Sequence, residues 1–78
     1  MKLYGYKDEG LEPGEIVPSV LAEITLVATP EELRIIAAFL VSAANSMEKM
    51  GKSYSHEHLS DKKPQFKNSP HFVVAREE

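Results

Sequence analysis

Residues 29–51, TPEELRIIAAFLVSAANSMEKMG, decide the fold, because every local signal in them points to one long helix with a defined start and stop. Thr29 suits the N-cap: its hydroxyl accepts from a backbone N–H that the first turn leaves without a partner, and Glu32 reaches back to the Thr29 amide. Pro30 stands in the first turn, where a missing N–H costs nothing and φ is already helical. Glu31 and Glu32 lie at the positive end of the helix dipole. From Leu33 to Met50 nothing breaks the pattern, and Lys49 then precedes Gly51, a residue free to adopt the left-handed backbone that ends helices.

Projected at about 100° per residue, Leu33, Ile36, Ala37, Leu40, Ala43, Ala44 and Met47 form a stripe expected to lie on a sheet. Ile35, Phe39 and Met50 widen the apolar arc beyond what a small sheet covers, while Arg34, Asn45, Glu48 and Lys49 stay on the wet side. That surplus predicts a homodimer, formed through the Ile35, Phe39 and Met50 side of the helix or through strand edges.

Outward from the helix, the period changes to two. Lys2 to Tyr6 reads as a short first strand. Ser19 to Ala28 reads as a second, with Val20, Ala22, Ile24, Leu26 and Ala28 turned to the helix and Leu21, Glu23, Thr25 and Val27 turned away. Between them, Lys7 to Pro18 is acidic and rich in turn residues. Beyond Gly51, residues 52–71 are too long for a structureless loop in so small a domain, so part of the stretch must be ordered. Tyr54, His56 and His58 alternate with Ser55, Glu57 and Leu59 as a short strand does. Asp61 to Pro70 is expected to be a surface connection, and Phe72 to Ala75 the last strand. The order is β-β-α-(β)-β. It predicts an α+β domain spanning residues 1–78, with a three- or four-stranded, mostly antiparallel sheet and one long helix packed on one face.

Composition limits what such a domain does. A chain of 78 residues draws little net stability from its core, on the order of 3–5 kcal/mol, and with no cysteine it has neither disulfides nor thiolate metal sites to help. Oligomerisation remains. The apolar run from Leu33 to Ala44 is too short to span a bilayer, and the first residues, MKLYGY, hold no signal-peptide core, so no membrane is expected and the location is expected to be cytoplasmic. A net charge of −3 gives no basic field for phosphate; Lys62, Lys63 and Lys67 are only a weak local cluster, and nucleic acid is not an expected partner.

His56-Glu57-His58 is the one cluster suited to metal or proton chemistry. On an extended segment both imidazoles project to one side, with His71 or Asp61 within reach as a third ligand. The HxH spacing is common, however, and a helical HExxH is absent; the competing reading is that these rings cap turns, pack on Tyr54 or contact a partner. No metal or other cofactor is assigned. Ser53, Ser55 and Ser60 near the histidines invite a hydrolase reading, but no GxSxG elbow holds a serine at a strained turn, so an enzyme is not expected. The carboxylates Asp8, Glu9, Glu12 and Glu15 lack the spacing of a calcium loop and read as solvated acidic surface. The alternative function kept open by the residues is a small metal-binding or regulatory domain using His56 and His58.

Taken together, Thr25-Leu26-Val27-Ala28-Thr29-Pro30-Glu31-Glu32-Leu33, the alanine-rich helix to Met50, and Ser55-His56-Glu57-His58-Leu59 with Asp61 resemble the immunity protein 32 family of bacterial polymorphic toxin systems. The Lys-rich stretch Lys62 to Lys67 departs from the acidic tail expected of such a protein. The resemblance implies a non-catalytic protein that binds and neutralises a cognate protein toxin. On grounds of exposure and composition, Tyr54, His56, His58 and Asp61, with Glu9 and Glu12 of the acidic loop, are the expected contact surface.

Overall fold

Thr29 caps the helix as its neighbours require. In the computed structural model, which describes residues 1–7 and 17–77, the Glu32 amide donates to Thr29 Oγ1 at 3.1 Å and the Thr29 amide donates to Glu32 Oε1 at 2.8 Å. Helix α1 runs from Pro30 to Met50. At its end Gly51 adopts φ 57° and ψ −130° and donates its N–H to the Met47 carbonyl, stopping the helix where the sequence places the stop.

Around α1 the order is β1 (Tyr4–Gly5), β2 (Ser19–Val20), α1, a 3-10 turn (Gly51–Ser53), β3 (His56–His58), α2 (Leu59–Lys62), a second 3-10 turn (Pro64–Phe66) and β4 (Val73–Ala75). This is an α+β fold with one long helix and antiparallel strands. Its strands divide into two ladders instead of joining in one sheet: β1 pairs with β2, and β3 with β4, in the register His56 to Ala75, Glu57 to Val74 and His58 to Val73. The second ladder extends past its formal ends, since the Leu59 amide donates to the Phe72 carbonyl at 2.9 Å and the Arg76 amide to the Ser55 carbonyl at 3.3 Å.

The core lies between α1 and the C-terminal half. Ile36 and Phe39 of the helix meet Leu59 and Phe66, with Ile35, Phe72 and Val74 packed around them. Phe39 and Phe72 cross edge to face, ring centroids 6.3 Å apart, the arrangement that aromatic quadrupoles favour. The buried face of α1, Ile36, Phe39 and Ala43, is therefore rotated from the expected stripe by roughly 70° at 100° per residue. The physical reason is the segment after β3. Instead of a surface connection, residues 59–66 form two short helical turns that lay Leu59 and Phe66 against this side of α1.

Two expectations are corrected by that packing. Phe39, expected at a dimer interface, is 4% exposed within one subunit, and Ile35 packs beside it; of the three residues named for that interface Met50 alone is open. The second strand, expected to cover the helix, does not do so. It pairs only at Ser19 and Val20, after which Val20, Ile24 and Leu26 remain largely exposed, and the Leu33 and Leu40 side of the helix they were expected to cover stays open. The first ladder is held by the Leu21 amide donating to the Leu3 carbonyl at 2.8 Å. Leu21 also packs on Gly5 so closely that a Cβ there would stand 2.7 Å from Leu21 Cδ1.

One long-range tie joins the last strand to the helix. Arg76 Nη1 donates to the Met47 carbonyl at 3.2 Å, the same oxygen that receives the Gly51 amide. A cation at a helix C-terminus is favoured by the dipole.

Candidate functional site

The β3–β4 ladder sorts its side chains by alternation. Phe72 and Val74 turn into the core. His56 and His58 therefore turn outward, and so do Val73 and Ala75 opposite them. His71 continues the outward line. The result is a row of three imidazoles on the outer face: His56 and His58 cross at 69° with centroids 5.3 Å apart, and His58 and His71 cross at 87° with centroids 6.0 Å apart. Edge-to-face packing of these rings gives the row its order.

Next to the row is an open depression of about 850 Å³, lined by the outward-facing Val73 and Ala75, by Tyr54, Ser55 and His56, and by the charged side chains of Lys52, Arg76 and Glu77. Its openness suits a broad contact more than an enclosed small molecule. Ser55 Oγ and His56 Nδ1 are hydrogen-bonded at 2.9 Å. Among the described residues no hydrogen bond or ion pair joins Asp61 to the histidines. Among the described residues no orienting carboxylate of the kind a hydrolytic triad uses is bonded to this pair.

The expected contact residues are placed as follows. His56 is exposed, His58 half-buried, and Asp61 exposed on α2. Tyr54 is corrected: it is 5% exposed and belongs to the interior, since the 3-10 turn after Gly51 aims its ring inward. Its hydroxyl and Glu57 Oε1 are both buried without a hydrogen-bond partner. Burial, and after it the neighbouring Glu57 carboxylate, raise the Tyr54 phenol above its ordinary value of 10.0. Glu57 keeps its other oxygen toward Lys62, Oε2 to Nζ 3.7 Å. Glu9 and Glu12 lie outside the described residues.

Among the described residues no three histidine, cysteine or acidic side chains are grouped so as to hold a metal ion. His58 packs edge to face against both His56 and His71. Sequence reasoning missed Lys52, Arg76, Val73 and Ala75 as lining of the depression. The period-two run through positions 71, 73 and 75 is the signal that places Val73 and Ala75 beside His56 and His58.

The family model described as immunity protein 32 matches residues 23–77, more than half of the chain, from just after β2 through β4. No curated protein and no solved structure matches. The matched span contains α1, the whole core and the histidine row, whereas the β1–β2 ladder precedes it.

Proposed function

Because the chain belongs to the immunity protein 32 family, we propose that it binds a cognate bacterial toxin and neutralises it without catalysis of its own. The family match over residues 23–77 carries this reading. The form of the outer ladder face supports it. A row of imidazoles, exposed at His56 and His71 and half-buried at His58, beside an open depression lined by Val73, Ala75, Lys52, Arg76 and Glu77 offers a protein partner both contact area and directional polar groups. No helix among the described residues is long and apolar enough to cross a membrane, so the ladder face has no membrane-spanning helix beside it.

His56, His58 and Asp61 are the side chains of this surface assigned to direct contact, with Glu9 and Glu12 as the acidic complement. Tyr54, being buried, acts by holding β3 in place. The test is calorimetric titration of the chain against a toxin domain found encoded beside its gene. Alanine at His56 and His58 together is expected to weaken binding by about 1–3 kcal/mol, the range of interface anchors, with the melting temperature unchanged. Equal affinity of the double variant and the parent removes the histidine row from the contact, and no binding by the folded parent removes the proposal.

A further inference from the structure

The side of α1 that the core leaves open is not a random surface. Leu33, Ala37, Leu40 and Ala44 follow the 4-3-4 spacing of a helix-pairing seam. They are exposed although Ile36, Phe39 and Ala43 of the same helix are covered; Leu33 and Leu40 are 44% and 43% open, and Val41 beside them 63%. Along the edge of this ridge stand Arg34, Val41 and Glu48, each seven residues from the next. Among the described residues neither Arg34 nor Glu48 has an ion-pair partner in its own subunit.

From this we infer that the open ridge of α1 pairs with the same ridge of a second copy, the two helices antiparallel about a two-fold axis near Val41. The charges choose the occupant and the direction. An axis at Val41 sets Arg34 of each copy against Glu48 of the other, because the two residues lie equally far on either side of it; a parallel pair would set Arg34 against Arg34. The same antiparallel register sets Ala37 of one copy nearly level with Ala44 of the other, so that small side chains meet across the seam and the backbones approach closely. Such an interface is isologous, as most homodimer interfaces are. This ridge lies on a different side of the helix from the Ile35 and Phe39 positions, which the subunit's own core has taken up.

The seam is short, below ~1,000 Å² in total, so a dissociation constant on the order of 10–100 µM is expected. Sedimentation equilibrium of the full chain from about 5 to 500 µM measures it, that range bracketing the expected constant. Val41→Lys replaces an exposed residue by a better helix former and leaves helicity by circular dichroism unchanged, yet it puts two ammonium groups face to face at the axis; the variant is expected to be monomeric throughout. Arg34→Glu or Glu48→Arg alone turns two ion pairs into two like-charge contacts and weakens the dimer roughly tenfold. The double exchange, Arg34→Glu with Glu48→Arg, restores it. A parent that stays monomeric to the highest concentration overturns the inference. So does a dimer that survives Val41→Lys, or a pair of single exchanges that the double exchange fails to repair.

Discussion

Replacing Phe39 by alanine separates a core residue from an interface residue. Phe39 is 4% exposed, so nearly its whole ring leaves water on folding. Relative to alanine that is on the order of 100 Å² of apolar surface, worth about 2.5 kcal/mol at 25 cal/mol per Å². The space left among Ile36, Leu59 and Phe66 adds a cavity cost, and the edge-to-face contact with Phe72 at 6.3 Å is lost as well. The sum falls in the range of about 3–5 kcal/mol measured for such truncations. A domain of 78 residues has little more than that in total, roughly 3–5 kcal/mol from its core. Phe39→Ala is therefore expected to populate the unfolded state heavily at 25 °C, whereas Phe39→Leu loses about 1–2 kcal/mol and stays folded. Urea unfolding followed by far-ultraviolet circular dichroism, at a protein concentration below 5 µM and so under the dimer range inferred above, reads both values. A Phe39→Ala chain that unfolds within about 1 kcal/mol of the parent would show that the ring is not part of the subunit core, and the packing of α1 against residues 59–74 would be wrong.

Further outcomes test other contacts. Gly51 has φ 57° and ψ −130°, and a Cβ added there would meet nothing within 4 Å, so Gly51→Ala is expected to lose about 1–3 kcal/mol from backbone strain alone, with no clash; a melting temperature equal to the parent's contradicts this. Thr29→Ala removes the acceptor for the Glu32 amide and is expected to destabilise by about 1 kcal/mol in the same urea titration. Tyr54→Phe deletes a buried hydroxyl that has no partner and is expected to be neutral or stabilising by up to about 1 kcal/mol. The pH dependence has a definite sign. Since the Tyr54 phenol is raised in the folded state, the unfolded chain loses that proton first, and the parent loses stability relative to Tyr54→Phe as pH climbs above 10.0; below that pH the difference between the two is flat.

Local chemistry made part of this fold legible. The reciprocal bonds of Thr29 and Glu32, and the stop at Gly51, involve residues within four positions of each other, and they appear where the sequence puts them. The last two strands are likewise legible, the first from the alternation of residues 54–59 and the second from the β-favouring run 72–75, though each is shorter than the segment that suggests it. What escaped was decided by competition between distant segments. The face of α1 is apolar over so wide an arc that periodicity alone does not say which third of it is covered. Leu59 and Phe66 settle the matter, and they sit in a polar, proline-bearing stretch whose composition resembles a loop. That 52–71 had to contain order was evident from its length; that Leu59 and Phe66 would take the Ile36 and Phe39 side of α1 was not.

At the site the pattern is similar. His56 and His58 share a face because strands alternate, which two residues suffice to show. His71 joins them only because β4 returns antiparallel in the register that pairs His58 with Val73. Tyr54 looked like an exposed aromatic anchor by its polar neighbours, but the turn at Gly51 sends it inward.

Neutralisation itself is tested most directly by growth. Where a toxin domain encoded beside this gene arrests the cells that express it, supplying this chain in the same cells is expected to restore growth, and the His56→Ala, His58→Ala double variant, folded and at equal abundance, is expected to restore it less. Continued arrest in the presence of the folded parent chain would contradict the account.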